Sequence, residues 1–287
     1  MKLARRKQTL FLAALLASLF AALILLMLPP RPEIVGRAIL RGAPPPEIAI
    51  TLPPGLTNLH PSGLTTRHYV VAPDGGLANV FVTIRSGLTN YSAPPASGPV
   101  LMENRGAHWE PYVIAVLTNQ PVRFRNSSPE MDTVHATPRV PGNPSFSYAL
   151  LTDKPVPREP WYRAFYRRMI LRKPLIPPGT DKSFPLAEPF IRIKCDVHPW
   201  HFCYVCVSDH QFFAMTDRKG RFEFPPGLPP GRYLIEARHL RAGVVTQEVV
   251  LARGERKKLE FTMEVPPPRT PPAKPTNAPP SGQRQEL

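Results

Sequence analysis

Proline sets the first limit on this chain. It occupies 40 of 287 positions, well above the roughly 5% usual in soluble proteins. Each proline fixes φ and removes a backbone donor, so long helices are excluded wherever it recurs. Short strands joined by turns are what remain. The apolar runs fit that reading. IVGRAIL (34–40), HYVVAPDGG (68–76), NVFVTI (79–84), YVIAVL (112–117), PVRFRN (121–126), FIRIKC (190–195) and FCYVCV (202–207) are strand-length and bounded by turn residues. Further on, FFAMTDRKGRFEF reads as a hairpin around Arg-Lys-Gly. GRYLIEARH, VVTQEVVL and KKLEFTMEV read as strands. Alternation and brief apolar runs of this kind predict an all-β protein.

The two ends are unlike the body. Residues 10–28 form 19 positions without a charge, preceded by Lys2, Arg5, Arg6 and Lys7. At about 1.5 Å per residue such a run nearly crosses a hydrocarbon core of about 30 Å. An uncleaved transmembrane anchor within 1–30 is the favoured reading, because no small-residue cleavage pattern follows; a signal peptide is the alternative. Either one places the remainder on the extracytoplasmic or periplasmic side, with the basic flank inside. The tail 266–287 is Pro-rich and nearly devoid of apolar residues. It buries too little surface to offset its ordering entropy, so disorder is expected.

The formal charge is +15, with the excess in the N-terminal flank, in 158–173 and in the tail. That distribution is patchy, and no nucleic-acid motif accompanies it. It fits anionic lipid or an acidic redox partner protein, or simply solvated charge that keeps the chain soluble, rather than nucleic acid. The segment 143–183 interrupts the strand pattern as an insertion. Within it Trp161, Phe165 and Met169 recur every four residues, and Arg163, Arg167 and Arg168 fall largely opposite. This predicts one amphipathic helix between Pro160 and Pro174.

The densest chemistry lies at 194–207, KCDVHPWHFCYVCV. Five of its side chains can ligate a transition metal: Cys195, His198, His201, Cys203 and Cys206. Cys195 ends a strand, and the two histidines follow within six residues. Thiolate plus imidazole in that arrangement is a donor set for a transition metal. Cys203 and Cys206 sit inside a strand, where side chains alternate with period two. Three apart, they face opposite ways and serve as small buried fillers. No disulfide is therefore expected. No G-x-S-x-G, P-loop or H-E-x-x-H is present, so no enzyme is expected.

Several segments together resemble the cupredoxin-domain proteins described as plastocyanin-like or methylamine-utilisation-like. They are DGGLANVFVTI (74–84), G-x-x-x-x-P-Y-V-I-A-V (106–116), PVRFRNSSP (121–129), TVHATP (133–138) and KSFPLAEPFIRIKCDVHPW (182–200). The resemblance implies a β-sandwich over 31–208 holding one copper per chain for electron transfer. The family loop reads C-D-V-H-P-W-M, and its other segment reads H-N-V-H. Here the Met position is His201, and the first His position is Asp132. The implied ligand set is then Asp132, Cys195, His198 and His201, with His135 as the alternative to Asp132. In ligand type this is similar to nitrosocyanin, the red-copper cupredoxin. Zinc in the same cage, or a metal-free structural or interaction module with a degenerate site, are the alternatives. Residues 209–265 resemble a carboxypeptidase-regulatory-like β-sandwich, through Thr216–Phe222 (T-D-x-x-G-x-F) and Leu228–Tyr233 (L-P-P-G-x-Y).

Overall fold

The computed structural model describes residues 33–52, 54–89, 91–106, 108–151 and 180–267. The apolar run 10–28, the basic helix expected around 161–171 and positions 268–287 of the tail lie outside them. Among the described residues no helix is long and apolar enough to cross a membrane. Among the described residues strands dominate, with a single helical turn at Pro54–Thr57.

In chain order the strands are β1 (Ile34–Arg41), β2 (Ala49–Ile50), β3 (Leu64–Thr65), β4 (Phe81–Ser86), β5 (Val100–Asn104) and β6 (Trp109–Glu110). Then follow β7 (Val113–Leu117), β8 (Val122–Asn126), β9 (Asp132–Thr137), β10 (Phe146–Leu150), β11 (Thr180–Lys182) and β12 (Glu188–Lys194). The remainder are β13 (Phe202–Ser208), β14 (Phe213–Met215), β15 (Arg221–Glu223), β16 (Gly231–His239), β17 (Gly243–Leu251) and β18 (Lys257–Glu264).

β5 to β13 build one pair of sheets, ordered β10-β9-β12-β13-β7 and β11-β8-β5-β6. Their inward residues meet in one core. Ile114, Val116, Val134, Ile191, Ile193, Cys203 and Val205 come from the first sheet, and Met102, Val122 and Phe124 from the second. A second pair of sheets is ordered β15-β1-β18 and β14-β4-β16-β17. It closes over Ile34, Val82, Phe222, Tyr233, Ile235 and Phe261.

Sheet membership departs from a boundary at 208. β1 and β4 precede the first sandwich in sequence, yet they pair with strands that follow it. β1 runs parallel to β18 over eight residue pairs and antiparallel to β15. β4 lies between β14 and β16. Alternation reveals which face of a strand is buried, but not which sheet supplies the partner.

Two local expectations also change. The strands flanking Arg-Lys-Gly do not pair with each other: β14 joins β4, and β15 joins β1. The turn at 217–220 therefore passes from one sheet to the other, held by Gly220 N–H to Asp217 O. Gly220 has φ +74, and a Cβ there would lie 2.3 Å from the Ala38 carbonyl oxygen, so only glycine fits. The run 68–76 is mostly a turn, tied by single bridges from Ile39 to Gly76 and from Val71 to Leu77. The insertion expected over 143–183 begins and ends in strand, because β10 pairs β9 and β11 pairs β8.

β13 shows why FCYVCV lacks alternation. Cys203, Val205 and Val207 enter the first core. Tyr204 and Cys206 enter a separate cluster with Phe81 and Val113, packed against Phe213 and Met215. A strand covered on both faces reads as a continuous apolar run. Cys203 and Cys206 thus lie on opposite faces, as period two requires, and all three cysteines are free thiols.

Candidate metal centre

The residues that sequence reasoning singled out arrive from two places. Asp132 opens β9, whose alternating burial turns Asp132, Val134 and Ala136 inward. Cys195 follows β12, and His198 and His201 lie in the tight loop to β13. Two backbone bonds close that loop: Cys195 N–H donates to His201 O at 2.9 Å, and His201 N–H to His198 O at 3.0 Å. The register Lys194↔His135 sets the end of β12 beside β9. The outcome is a cluster of Asp132, Cys195, His198 and His201 whose ligand atoms all lie within 4.8 Å of one another. Asp132, Cys195 and His201 are almost fully buried.

The sulfur is well supported. Thr133 N–H and Thr133 Oγ1 each approach Cys195 Sγ at 3.4 Å, and the amides of Val197 and His198 at 3.3 Å. His198 Nδ1 stands 3.6 Å from the sulfur and 3.6 Å from Asp132 Oδ1. His201 Nδ1 lies 2.9 Å from Asp132 Oδ2, and its Nε2 is buried with no hydrogen-bond partner among the described residues. Asn104 Nδ2 donates to Asp132 Oδ2 at 2.8 Å, and Thr133 N–H donates to Oδ1 at 2.8 Å. Asn104 belongs to β5 in the facing sheet, so the carboxylate is fixed from across the sandwich.

The charges are coupled. Burial opposes protonation of His201, but the Asp132 carboxylate and the Cys195 sulfur outweigh it and raise the pKa to about 9. Burial likewise pushes the Asp132 carboxyl up, yet His201, Cys195 and the Thr133 amide hold it below the usual carboxylate range. Without a metal, the pair is an imidazolium and a carboxylate.

His135 is not brought to this cluster. Three residues beyond Asp132 on the same strand, it faces away. Its Nδ1 sits 2.8 Å from Asp196 Oδ1, and Lys194 Nζ is 2.9 Å from the same oxygen. Lys194 first, then His135, draw the Asp196 carboxyl down to about 2. The alternative ligand assignment therefore fails on geometry.

The four donors suit a transition metal. One thiolate, two imidazoles and one carboxylate form a mixed soft and borderline set. With bonds of about 2.0–2.3 Å, tetrahedral ligands stand roughly 3.3–3.7 Å apart, close to the 3.6 Å spacings about His198. The 2.9 Å contact between His201 and Asp132 is shorter, a hydrogen-bond distance. Sequence reasoning missed Asn104. It follows Glu103 and precedes Arg105, so nothing local sets it apart from a polar strand end.

No family model matches the chain, and neither does any curated protein. Among solved structures, the oxidized form of a mutant amicyanin is similar at 15% identity with a TM-score of 0.27. The match covers 44% of this chain and 98% of that one. A likeness this distant says nothing of chemistry, and what the four side chains do rests on their own geometry.

Proposed function

We propose that this chain is a membrane-anchored, extracytoplasmic cupredoxin that holds one copper and transfers electrons. The convergence of Asp132 with Cys195, His198 and His201 carries this reading. Two segments more than sixty residues apart meet in a buried site only when the sandwich folds, which is how metal binding couples to folding. Copper supplies a one-electron couple when bound. Cys195 contributes the soft donor and the short hydrogen-bonded loop that fixes it. His198, only partly buried, is the ligand nearest solvent and the natural edge for electron entry. A carboxylate in place of an imidazole, and an imidazole in place of a thioether, favour Cu(II) and lower the potential relative to a blue site.

The test is metal analysis and absorption spectroscopy of the purified full chain after loading with copper. The expected result is one copper per chain and a thiolate-to-copper band that Cys195→Ser abolishes. Zinc bound in preference to copper, or no stoichiometric metal, refutes the proposal. One observation favours a second reading. Asp132 and His201 already satisfy each other at 2.9 Å, so the same residues could serve a metal-free structural module as a buried ion pair.

A further inference from the structure

The connection that leads into Asp132 presents a second carboxylate to the cluster. Residues 127–131 join β8 to β9, and side chains and backbone from neighbouring strands pin them. Asn126 ends β8 and is fully buried. Its Nδ2 donates to Glu130 O at 2.7 Å and to Leu150 O at 3.1 Å. Its Oδ1 accepts from Ser128 N–H at 2.9 Å, the side-chain turn that asparagine forms with the amide two residues on. Ser127 N–H donates to Asn104 O at 2.9 Å. A connection tied at 127, 128 and 130 sets the Glu130 side chain beside His198, with Glu130 Oε2 at 3.7 Å from His198 Nε2.

The two nitrogens of His198 meet different groups. Nδ1 is 3.6 Å from Cys195 Sγ and 3.6 Å from Asp132 Oδ1, so it is the nitrogen that faces the other donors. Nε2 meets Glu130. A neutral imidazole carries its proton on one nitrogen and a lone pair on the other. Ligation through Nδ1 therefore obliges Nε2 to carry the proton. In metal sites that N–H goes to a carboxylate, a carbonyl or water, which fixes the tautomer and the ring angle and makes the ligand more basic. The Trp200 indole, centred 5.3 Å from the His198 ring, has no acceptor nitrogen to offer. The carboxylate of Glu130 has two acceptor oxygens. At 3.7 Å it stands at ion-pair distance, beyond the roughly 3.0 Å of an N–H···O bond. Its side chain is 40% exposed, so it can close that gap without disturbing the core.

We propose that Glu130 is a positioning residue of the metal centre, its carboxylate accepting the Nε2–H of a His198 that ligates through Nδ1. This rests on the reading of the cluster as a metal site. Glu130 touches no metal and acts through the histidine. It holds the ring of the ligand nearest solvent, and it adds negative charge behind that ring. The first effect strengthens binding. The second favours the more highly charged state of the metal and so lowers the potential.

The experiment loads the full chain with copper and compares wild type, Glu130→Ala and Glu130→Gln. Glu248→Gln, which removes an exposed carboxylate on β17 in the other pair of sheets, controls for net charge. Three quantities are read: copper affinity by chelator competition, midpoint potential, and the 15N imidazole spectrum of the diamagnetic Cu(I) form. Glu130→Ala weakens binding by about tenfold or more. Glu130→Gln keeps a carbonyl acceptor at the same reach, so it recovers part of that loss and serves should the alanine variant fold poorly. Both raise the potential, and both shift the His198 Nε2–H signal. Glu248→Gln does none of these. Affinity and potential unchanged in both Glu130 variants overturn the proposal and leave Glu130 a solvated surface charge. Changes of equal size in Glu248→Gln, or a spectrum that shows His198 ligating through Nε2, overturn it as well. A wild-type chain that binds no metal sinks the metal-site reading and this proposal together. A wild type that loads normally beside indifferent Glu130 variants sinks this proposal alone.

Discussion

The Asp132–His201 pair makes the metal-free protein lose stability as pH rises through neutrality. His201 has its pKa raised from 6.5 to about 9 in the fold. A group raised in this way contributes its full stability below the unfolded value of 6.5, and the contribution disappears as pH climbs through 9. At 1.36 kcal/mol per pKa unit, the loss between pH 6.5 and 8.5 is about 2 kcal/mol. Other shifted groups act elsewhere. His239, lowered to about 4 by burial and Arg241, acts in the acid range. Cys206, pushed up to about 12 by burial, acts only above the usual thiol range of about 8.5. The assay is urea unfolding of the metal-free chain at pH 6.5, 7.5 and 8.5, read as the shift in midpoint. Asp132→Asn retains the shape but removes the charge, so its stability in this window should fall much less steeply, with Cys195 left as the remaining cause. Bound metal takes the place of the proton, so metal affinity should rise with pH over the same range. A wild-type midpoint that does not fall, or a slope undiminished in Asp132→Asn, refutes the pairing as the cause.

Three shorter predictions follow from the same geometry. His135→Ala breaks the contact with Asp196 and should leave copper stoichiometry and the thiolate band unchanged in the loaded protein. Asn104→Ala removes the bond that orients Asp132 from the facing sheet. Metal affinity should drop by about tenfold or more in chelator competition, with the thiolate band retained. Charge reversal at Arg163, Arg167 and Arg168 should weaken association with an acidic partner, as should added salt; co-sedimentation that is indifferent to both removes that segment from the interface.

What the sequence disclosed tracks the range of the interactions involved. GRYLIEARH coincides with β16, because strand composition and bounding turns are local. Cys195, His198 and His201 were legible because one loop contains them all. Asp132 was legible only through its alignment with a family ligand position, and His135 on the same strand stayed open as its alternative. Asn104 was not legible, since its purpose is set by a carboxylate 28 residues away on another sheet. The hairpin expected around Arg-Lys-Gly had the correct turn but the wrong partners, because turn chemistry fixes the reversal and not the sheet each arm joins. The same gap misplaced β1 and β4.

That last gap has a mechanical consequence. β5 to β13 lie in sequence between β4 and β14, two strands that pair with each other. A chain cut after residue 208 keeps β1 and β4 but loses every strand they pair with. Ile34, Leu40, Val82 and Ile84 belong to a core completed by Phe222, Ile235, Val249 and Phe261. Burial of each such side chain stabilises by about 2 kcal/mol, so about 8 kcal/mol of apolar burial is undone. That is comparable with the 5–15 kcal/mol that holds a typical domain together. A fragment covering 98–208 lacks β1 and β4 and keeps both sheets of the first sandwich. It exposes an outer face that includes Tyr112, Val113, Phe190, Tyr204 and Cys206, from which Phe81 has been removed. The shorter fragment should therefore remain more soluble than residues 29–208, which omit the same N-terminal apolar run. Both are compared by sedimentation after refolding. If 29–208 stays monodisperse and unfolds at the same urea midpoint as 29–287, then β1 and β4 do not depend on β14 to β18.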